Sequence, residues 1–446
     1  MILGAGAAGS EAAMSVADKG GHSILIAESM HFGGTCTNHG CVPTKALVRS
    51  AKIMHLVNRA GEFGIRVPAP VLDWPTAVGR AYQVRDHMLR YGAAPFEEAG
   101  VEVRYPCTAF FTGEHTLEVG GEPVMASAAI IATGLEPALP PVPGLRECGY
   151  LDNESALELS QLPHRLAVVG SGPIGCEFAQ IFSRFGVQVT VVELADRLLS
   201  PEEPESSAAV LAAFEAEGIA VRTGVKMTRI EREGSVRRLH FQSGAPLEVD
   251  AVLVAVGRSL EGGPLGLTAA GIEWSAKGVK VDSHLRTSQP WVWAAGDVVG
   301  GALFTHVASE MGRLAAGNAL LGNAKEVDLR VVPRVTFTDP EVASVGLTET
   351  QARHAGFEVR VGFAALKEAE KAEIDGLVFG HVKVVADARS GELLGCHMVA
   401  ETAGDMIHEA VAIMAGRTPV RTVARAMHAY PTLSELTRSA LQEAAG

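Results

Sequence analysis

Ile2-Leu3-Gly4-Ala5-Gly6-Ala7-Ala8-Gly9 opens the chain, and Leu166-Ala167-Val168-Val169-Gly170-Ser171-Gly172-Pro173-Ile174-Gly175 repeats its grammar further on. In each, an apolar run enters Gly-x-Gly-x-x-Gly and a helix-forming stretch follows. A second apolar run then ends in a carboxylate. Gly20-Gly21 closes the first helix and Ser23 to Ala27 leads to Glu28; Gly186 closes the second, and Val187 to Val192 leads to Glu193. The spacing has a physical reason. Gly4 and Gly170 permit the tight turn, Gly6 and Gly172 let a pyrophosphate approach the backbone, and Gly9 and Gly175 let helix and strand pack closely. The helix start then faces the phosphates with its partial positive charge, and Glu28 and Glu193 can accept hydrogen bonds from ribose hydroxyls. One such glycine pattern is weak evidence. Strand, helix and acid together, twice in one chain, form an internal repeat at domain scale. The expected architecture is α/β, with two Rossmann-like dinucleotide-binding domains. Two dinucleotides on one chain point to electron relay from a nicotinamide to a flavin.

Composition narrows the class. A length of 446 residues predicts about three domains. Lys plus Arg is 38 against Asp plus Glu 51, a net charge of −13, which repels phosphate backbones and argues against a nucleic-acid partner. Hydrophobic residues at 47% and charged residues at 20% fit a globular protein, not a disordered one. The 49 glycines exceed the typical share of ~7% and call for turns or close approach to a ligand. No apolar run nears the ~18 residues of a membrane span, and no signal-peptide pattern opens the chain. Six cysteines do not make a disulfide scaffold, so a reducing cytoplasm is expected. Any disulfide there is more often catalytic than structural. The first strand has about three residues where a buried strand has ~5–6. That leaves two readings, a start placed late or a short N-terminus.

Helices are expected at Pro43 to Ala60 and Trp74 to Ala99, with strands at Val101 to Tyr105, Ala126 to Ala132, Ala251 to Val256 and Val292 to Ala295. Leu139 to Gly144, with three prolines, reads as an extended linker. From about Val332 strands alternate with amphipathic helices and no glycine pattern returns, which marks a separate C-terminal domain.

The chemistry concentrates in Gly33-Gly34-Thr35-Cys36-Thr37-Asn38-His39-Gly40-Cys41-Val42-Pro43-Thr44-Lys45. Two cysteines stand in C-x4-C spacing. Gly40 allows a sharp turn between them. Pro43 suits the first turn of a helix, which puts Cys41 at a helix N-terminus, where a thiolate is stabilised. A zinc half-site would need a second ligand pair, and Cys107, Cys148, Cys176 and Cys396 are scattered singly. Two ordinary buried cysteines would not explain the glycine and proline. A redox-active dithiol explains both.

Gly-Gly-Thr-Cys-x4-Cys-Val-Pro-Thr-Lys after a glycine turn resembles the flavin-dependent pyridine nucleotide–disulfide oxidoreductases. Ala132-Thr133-Gly134 looks like that family's chain-crossing motif. Ala294-Ala295-Gly296-Asp297 looks like its second flavin motif, and Phe337 to Gly346 looks like the start of its dimerisation domain. The resemblance runs along essentially the whole chain. It implies an FAD domain in two segments (1–143 and 258–328), an NAD(P) domain between them (144–257) and an α+β dimerisation domain (329–446). FAD would be held by Gly4, Gly6, Gly9, Glu28, Gly34, Thr35, Thr133, Gly134, Gly296 and Asp297, with Asp297 on the ribityl chain. NAD(P) would be held by Gly170, Gly172, Gly175, Glu193 and Gly257. By the same resemblance Cys41 faces the flavin as the charge-transfer thiolate and Cys36 is the outer, exchanging thiol. Lys45 and Glu177 would pair near the flavin's reactive nitrogen, and the active unit would be a homodimer. Glu193 favours NADH because a carboxylate repels a 2′-phosphate; nearby Arg197 keeps NADPH in play.

The C-terminal motif of dithiol-reducing members is His-x-His-Pro-Thr-x-Ser/Thr-Glu, whose second His, held by the Glu, protonates the leaving thiol. This chain reads His428-Ala429-Tyr430-Pro431-Thr432-Leu433-Ser434-Glu435. A phenol with a reference pKa of ~10 is a poor base at neutral pH, whereas an imidazole near ~6.5 is well matched. His428 lies two residues away and would share a face with Tyr430 in an extended segment. Mercuric reductases resemble this pattern, with a Tyr here contributed across the dimer interface and another just before the NAD(P) domain, where this chain has Tyr150. On that reading Cys36 and Cys41 bind Hg(II) as substrate. The chain departs by ending Leu441 to Gly446 without a cysteine pair. Either thiols in solution deliver the metal or the acceptor differs: a disulfide such as lipoamide, or a quinone.

Overall fold

The computed structural model describes residues 1–322 and 325–446. They divide into two compact units, one of Met1–Ala46, Val78–Ala138 and Gly257–Asp328, the other of Leu47–Ala77, Leu139–Val256 and Leu329–Gly446.

The first unit is built on a five-stranded sheet ordered Val292–Ala294, Ala129–Ile131, Ile2–Leu3, Ile24–Ala27, Val101–Arg104, with every neighbour parallel. Ile2–Leu3 is short, yet it sits at the centre of the sheet. Its two side chains are buried, which is why so brief a run holds as a strand. A three-stranded antiparallel meander (Ala109–Gly113, Thr116–Val119, Glu122–Met125) covers one side, and Phe111, Leu117 and Val119 join Leu3, Ile131 and Trp291 in one core. The helices Ala7–Ala17 and Thr305–Leu321 pack backbone to backbone: a Cβ on Gly312 would lie 2.1 Å from the Ala8 carbonyl oxygen.

Two local expectations change. The strand expected over Ala126 to Ala132 is shorter, Ala129–Ile131. Met125, 82% exposed, ends the meander, and a fresh parallel strand starts at Ala129. The helix expected over Trp74 to Ala99 is two, Trp74–Met88 and Ala94–Glu98. Gly92 at φ +51° turns the chain, and Pro95 suits the first turn of the second helix.

The second unit holds a four-stranded parallel sheet ordered Ala220–Arg222, Gln188–Val192, Arg165–Val169, Ala251–Val254. A meander, Met227–Glu233, Val236–Phe241, Leu247–Val249, packs Met227, Ile230 and Leu239 against Ala167 and Val169. Its C-terminal part is a five-stranded antiparallel sheet ordered Arg334–Thr336, Glu341–Gly346, Leu393–Ala400, His381–Asp387, Val359–Ala365. The helices Ala403–Ala415 and Ser434–Ala445 complete its core through Ile407, Ile413, Leu436 and Leu441. Both parallel sheets have the Rossmann arrangement, and the C-terminal part is α+β. Among the described residues no helix is long and apolar enough to cross a membrane.

Candidate functional site

The two glycine turns have the same geometry. Gly4 and Gly170 both sit at φ +100°, and a Cβ on either would lie 2.4 Å from a backbone oxygen of the neighbouring strand's end, Ala132 or Ala255. A Cβ on Gly9 or Gly175 would meet the oxygen of Gly4 at 1.9 Å or of Gly170 at 2.1 Å. These positions are glycine because the backbone itself fills the space. Gly172 is different, with nothing within 4 Å of its would-be Cβ. That open side is where a pyrophosphate could approach. Helices Ala7–Ala17 and Pro173–Arg184 begin after Gly6 and Gly172 with no side-chain cap, so their first N–H groups stay directed at the groove.

The two carboxylates brace these turns. Glu28 Oε2 accepts the Ala5 N–H at 2.8 Å and its Oε1 the Met30 N–H at 2.9 Å. Glu193 Oε2 accepts the Ser171 N–H and hydroxyl, each at 2.7 Å, and its Oε1 the Ala195 N–H at 2.7 Å. A carboxylate has about four lone-pair directions, so each acid still has capacity for a ribose hydroxyl. Arg197 turns its guanidinium onto its own loop, donating to the carbonyls of Ser200 and Glu202 at 2.5 and 3.0 Å.

In the first unit, Gly33 donates its N–H to the Ala5 carbonyl at 3.0 Å, and a Cβ on Gly34 would strike Gly6 Cα at 2.6 Å. The loop before the cysteines therefore lies directly on the first glycine turn. Thr35, Cys36 and Thr37 continue as one short helix, Gly34–Asn38, which the Asn38 amide ties to the carbonyls of Phe32 and Gly34. Gly40 then lets the chain pass Thr35, whose oxygen would lie 2.9 Å from a Cβ there. Helix Cys41–Arg59 starts at Cys41, as the placement of Pro43 predicts, with Lys45 in its second turn.

Cys36 and Cys41 are both reduced, with no disulfide between them, and they meet. A hydrogen bond to Cys41, together with burial, pushes the Cys36 thiol far up, so Cys36 keeps its proton while Cys41 accepts. Thr305, the first residue of helix Thr305–Leu321, places its hydroxyl 3.7 Å from Cys41 Sγ. Cys41 thus lies at one helix N-terminus and beside the first residue of another, both of which favour a negative sulfur. Burial pushes the Cys176 and Cys396 thiols up as well, and at Cys176 it prevails even in the first turn of helix Pro173–Arg184, where Glu177 and Glu193 add to it, which leaves both inert. Sequence reasoning missed Thr305; a threonine starting a helix carries no mark of a sulfur arriving from a distant segment.

Gly134 follows strand Ala129–Ile131 at φ +73°, just after Thr133. Gly296, at φ +81°, packs against Ala8 and leads to Asp297, whose carboxyl burial pushes up while Arg258 at 3.7 Å pulls it back. Gly257 opens the last segment of the first unit and accepts the Ala138 N–H at 2.9 Å. In the second unit Glu177 is buried and its Oε1 accepts the Phe337 N–H at 3.0 Å. Tyr150 rests half-buried on the core of Leu145, Cys148 and Ile230. The tail divides in an unexpected way. Tyr430 is 70% exposed. The His428 side chain is only 9% exposed, with Nε2 at 2.9 Å from Glu409 and Nδ1 at 3.3 Å from the Ala426 carbonyl. The two side chains do not share an environment: His428 is drawn onto Glu409 while Tyr430 stands in solvent, against the expectation of one shared face. Glu435 Oε2 accepts the Thr432 N–H at 3.3 Å.

A glycine turn bearing an uncapped helix, closed by a loop that presents two adjoining thiols, defines a dinucleotide-dependent dithiol oxidoreductase. The chain belongs to the pyridine nucleotide-disulphide oxidoreductase family, which matches residues 1–312, and that family's dimerisation domain matches residues 332–441. Members use FAD and a pyridine nucleotide, and the dimerisation domain supports a homodimer. The chain is 38% identical to a mercuric reductase of Streptomyces lividans, covering 99% of this chain and 95% of that protein. It is 34% identical to a dihydrolipoyl dehydrogenase of Bacillus subtilis (strain 168), covering 100% and 98%. The solved HOCl-induced flavoprotein disulfide reductase RclA of Escherichia coli superposes with a TM-score of 0.88 at 27% identity, over 99% and 98% of the two chains.

The residues in the first unit fit FAD. The turn at Gly4 to Gly9 has backbone where side chains would stand, the helix start is uncapped, and Glu28 retains acceptor capacity.

Proposed function

We propose that the protein carries two electrons from NADH, by way of FAD, to the Cys36/Cys41 pair and on to Hg(II). FAD supplies, when bound, the two-electron exchange between nicotinamide and dithiol. The amides at the start of helix Ala7–Ala17 would bind its pyrophosphate, Glu28 a ribose and Asp297 the ribityl hydroxyls. Lys45 and Glu177 would neutralise each other beside its reactive nitrogen. Gly134 and Thr133 would let the chain cross close to it. Gly34 and Thr35 would bring the dithiol loop against it. Gly170 to Gly175 and Glu193 would hold NADH in the second unit, with Gly257 beside it.

Hg(II) arrives as a thiol complex. The Cys36 and Cys41 sulfurs displace the carrier thiols, which leave with the protons, and bind the metal through two soft thiolates. Two electrons from NADH reduce Hg(II) to Hg(0), and NADH becomes NAD⁺ with release of one proton. Tyr150 and Tyr430, the latter supplied by a second copy of the chain, would steady the incoming metal through oxygen contacts, with Glu435 beside Tyr430.

What carries this reading is the absence of a presented imidazole on the tail among the described residues. Disulfide reduction takes up two protons and uses an acid–base group at the leaving thiol. Tyr430 stands at that position as a phenol, and His428 turns both ring nitrogens onto acceptors of its own chain. Metal reduction needs no such group. Reduction of a disulfide is the second reading, supported by the nearly full-length likeness to the Bacillus subtilis dihydrolipoyl dehydrogenase. An NAD(P)H:quinone reductase is the third.

Anaerobic NADH oxidation against Hg(II)–thiol complexes, lipoamide, glutathione disulfide and a quinone separates the three. Tyr430→Phe is expected to slow Hg(II)-dependent oxidation about tenfold, or about 1.4 kcal/mol of barrier. Tyr430→His should raise disulfide reduction by restoring a matched base near Glu435. Wild-type turnover of lipoamide with Hg(II) turnover indifferent to Tyr430→Phe would overturn the mercuric reading.

The nicotinamide choice rests on Glu193, whose carboxylate is held at the second glycine turn by Ser171 and Ala195, and on Arg197, which is engaged by two carbonyls. NADH should show a kcat/KM at least about tenfold above that of NADPH. Equal values would remove the argument.

A further inference from the structure

Tyr430 lies in a connection without regular structure, between helix Val420–Val423 and helix Ser434–Ala445. Yet the segment is tied on both sides of it. Ahead of Tyr430, the Gln442 amide donates to the Ala424 carbonyl at 3.1 Å, and His428 Nε2 meets Glu409 Oε1 at 2.9 Å. Behind it, the Thr432 hydroxyl donates to the Ala429 carbonyl at 2.7 Å, and Glu435 takes the Thr432 N–H. Between these ties Tyr430 projects outward, 70% exposed. Among them the His428–Glu409 pair is the one that reaches a different helix of the core, Ala403–Ala415. That helix is fixed by buried Ile407, Ala410 and Ile413. The partner on the tail, His428, is almost wholly withdrawn from water. A hydrogen bond to a carboxylate at such a site is among the stronger ones a tail can make.

We infer that Glu409 is a positioning residue for the acceptor step: through His428 it fixes the segment that presents Tyr430. The inference rests on the proposed role of Tyr430. It also explains why the histidine remains while its neighbour at the base position is a tyrosine, since this histidine works as an anchor. Without the tie, the segment from Ala426 to Thr432 samples many conformations, and only the fraction with Tyr430 correctly placed can act.

The test uses the FAD-loaded homodimer. Glu409→Ala should lower kcat/KM for a Hg(II)–thiol complex about tenfold, the scale of one charge-assisted hydrogen bond holding a two-state segment. The KM for NADH and the rate at which NADH bleaches the flavin should not move. Glu409→Gln, whose amide oxygen can still accept from the imidazole N–H, should restore the acceptor step to within about twofold. Adding His428→Ala to Glu409→Ala should cost nothing more, because the two act as one unit. Hydrogen exchange of the backbone amides from Ala426 to Thr432 should accelerate in Glu409→Ala and not in Glu409→Gln.

Unchanged exchange in Glu409→Ala overturns the anchor, whatever the kinetics. An equal fall in flavin bleaching and in acceptor reduction also overturns it, since that marks general damage to the fold. If exchange responds but Tyr430→Phe and Glu409→Ala both leave Hg(II) turnover intact, the role assigned to Tyr430 has failed and the positioning claim falls with it. The exchange measurement tells this case from failure of the anchor, because it depends on no acceptor.

Discussion

Cys41→Ser is expected to abolish Hg(II)-dependent NADH oxidation, by about a thousandfold or more, while the purified protein stays yellow with FAD. The argument separates chemistry from folding. Cys41 is exposed and begins a helix, a place where serine serves well, so the fold and the glycine cradle should survive. The chemistry should not. A hydroxyl does not ionise near neutral pH, and its hard oxygen is a poor ligand for a soft metal. It would also remove the sulfur that accepts from Cys36 and lies beside Thr305. Cys36→Ser should be equally inactive toward Hg(II), because one thiolate cannot replace the pair. The assay is anaerobic NADH oxidation with a Hg(II)–thiol complex, read beside the visible flavin spectrum. Substantial turnover in Cys41→Ser would show that electrons leave the flavin by another route, as a quinone reductase would have them do.

A second large effect is expected from a single methyl group at Gly4. In Gly4→Ala the new Cβ would lie 2.4 Å from the Ala132 oxygen and 2.8 Å from its carbon, with φ at +100°. Both atoms belong to the backbone carbonyl of Ala132, whose N–H is bonded to the Leu3 carbonyl of the central strand, so neither can swing aside. The steric and conformational costs add to about 3 kcal/mol or more, and the protein should lose FAD and unfold at markedly lower temperature. Gly172→Ala makes the contrast. Its φ is −68° and nothing lies within 4 Å of the added atom. That protein should fold with its flavin and melt close to wild type, but with a raised KM for NADH, because the methyl group projects into the space left for the pyrophosphate. Thermal unfolding with and without FAD, alongside NADH titrations, reads both. A stable, flavin-loaded Gly4→Ala would mean that the turn at Ala132 yields.

The two glycine turns, the acids that follow them and the dithiol loop were all legible in the chain, because each is a local demand. A backbone at φ +100°, a helix start without a cap and two thiols with four residues between them are each written within a dozen positions. The meanders at 109–125 and 227–249 were not legible. Their strands are short, and their apolar residues acquire an inside only when a sheet is laid against them. The site divides along the same line. Composition and motif determine a dinucleotide-dependent dithiol enzyme, since glycine, cysteine and carboxylate are required there by geometry and charge. Which groups flank the reactive sulfur, and which way the tail's aromatic residues point, tertiary structure alone decided. Thr305 reaches Cys41 across 264 positions of sequence, and His428 turns inward because Glu409, on a helix it does not adjoin in the chain, offers a carboxylate to its ring nitrogen. Hydrogen bonds of that kind depend on where distant elements pack, and residue order along a strand or loop carries no record of them.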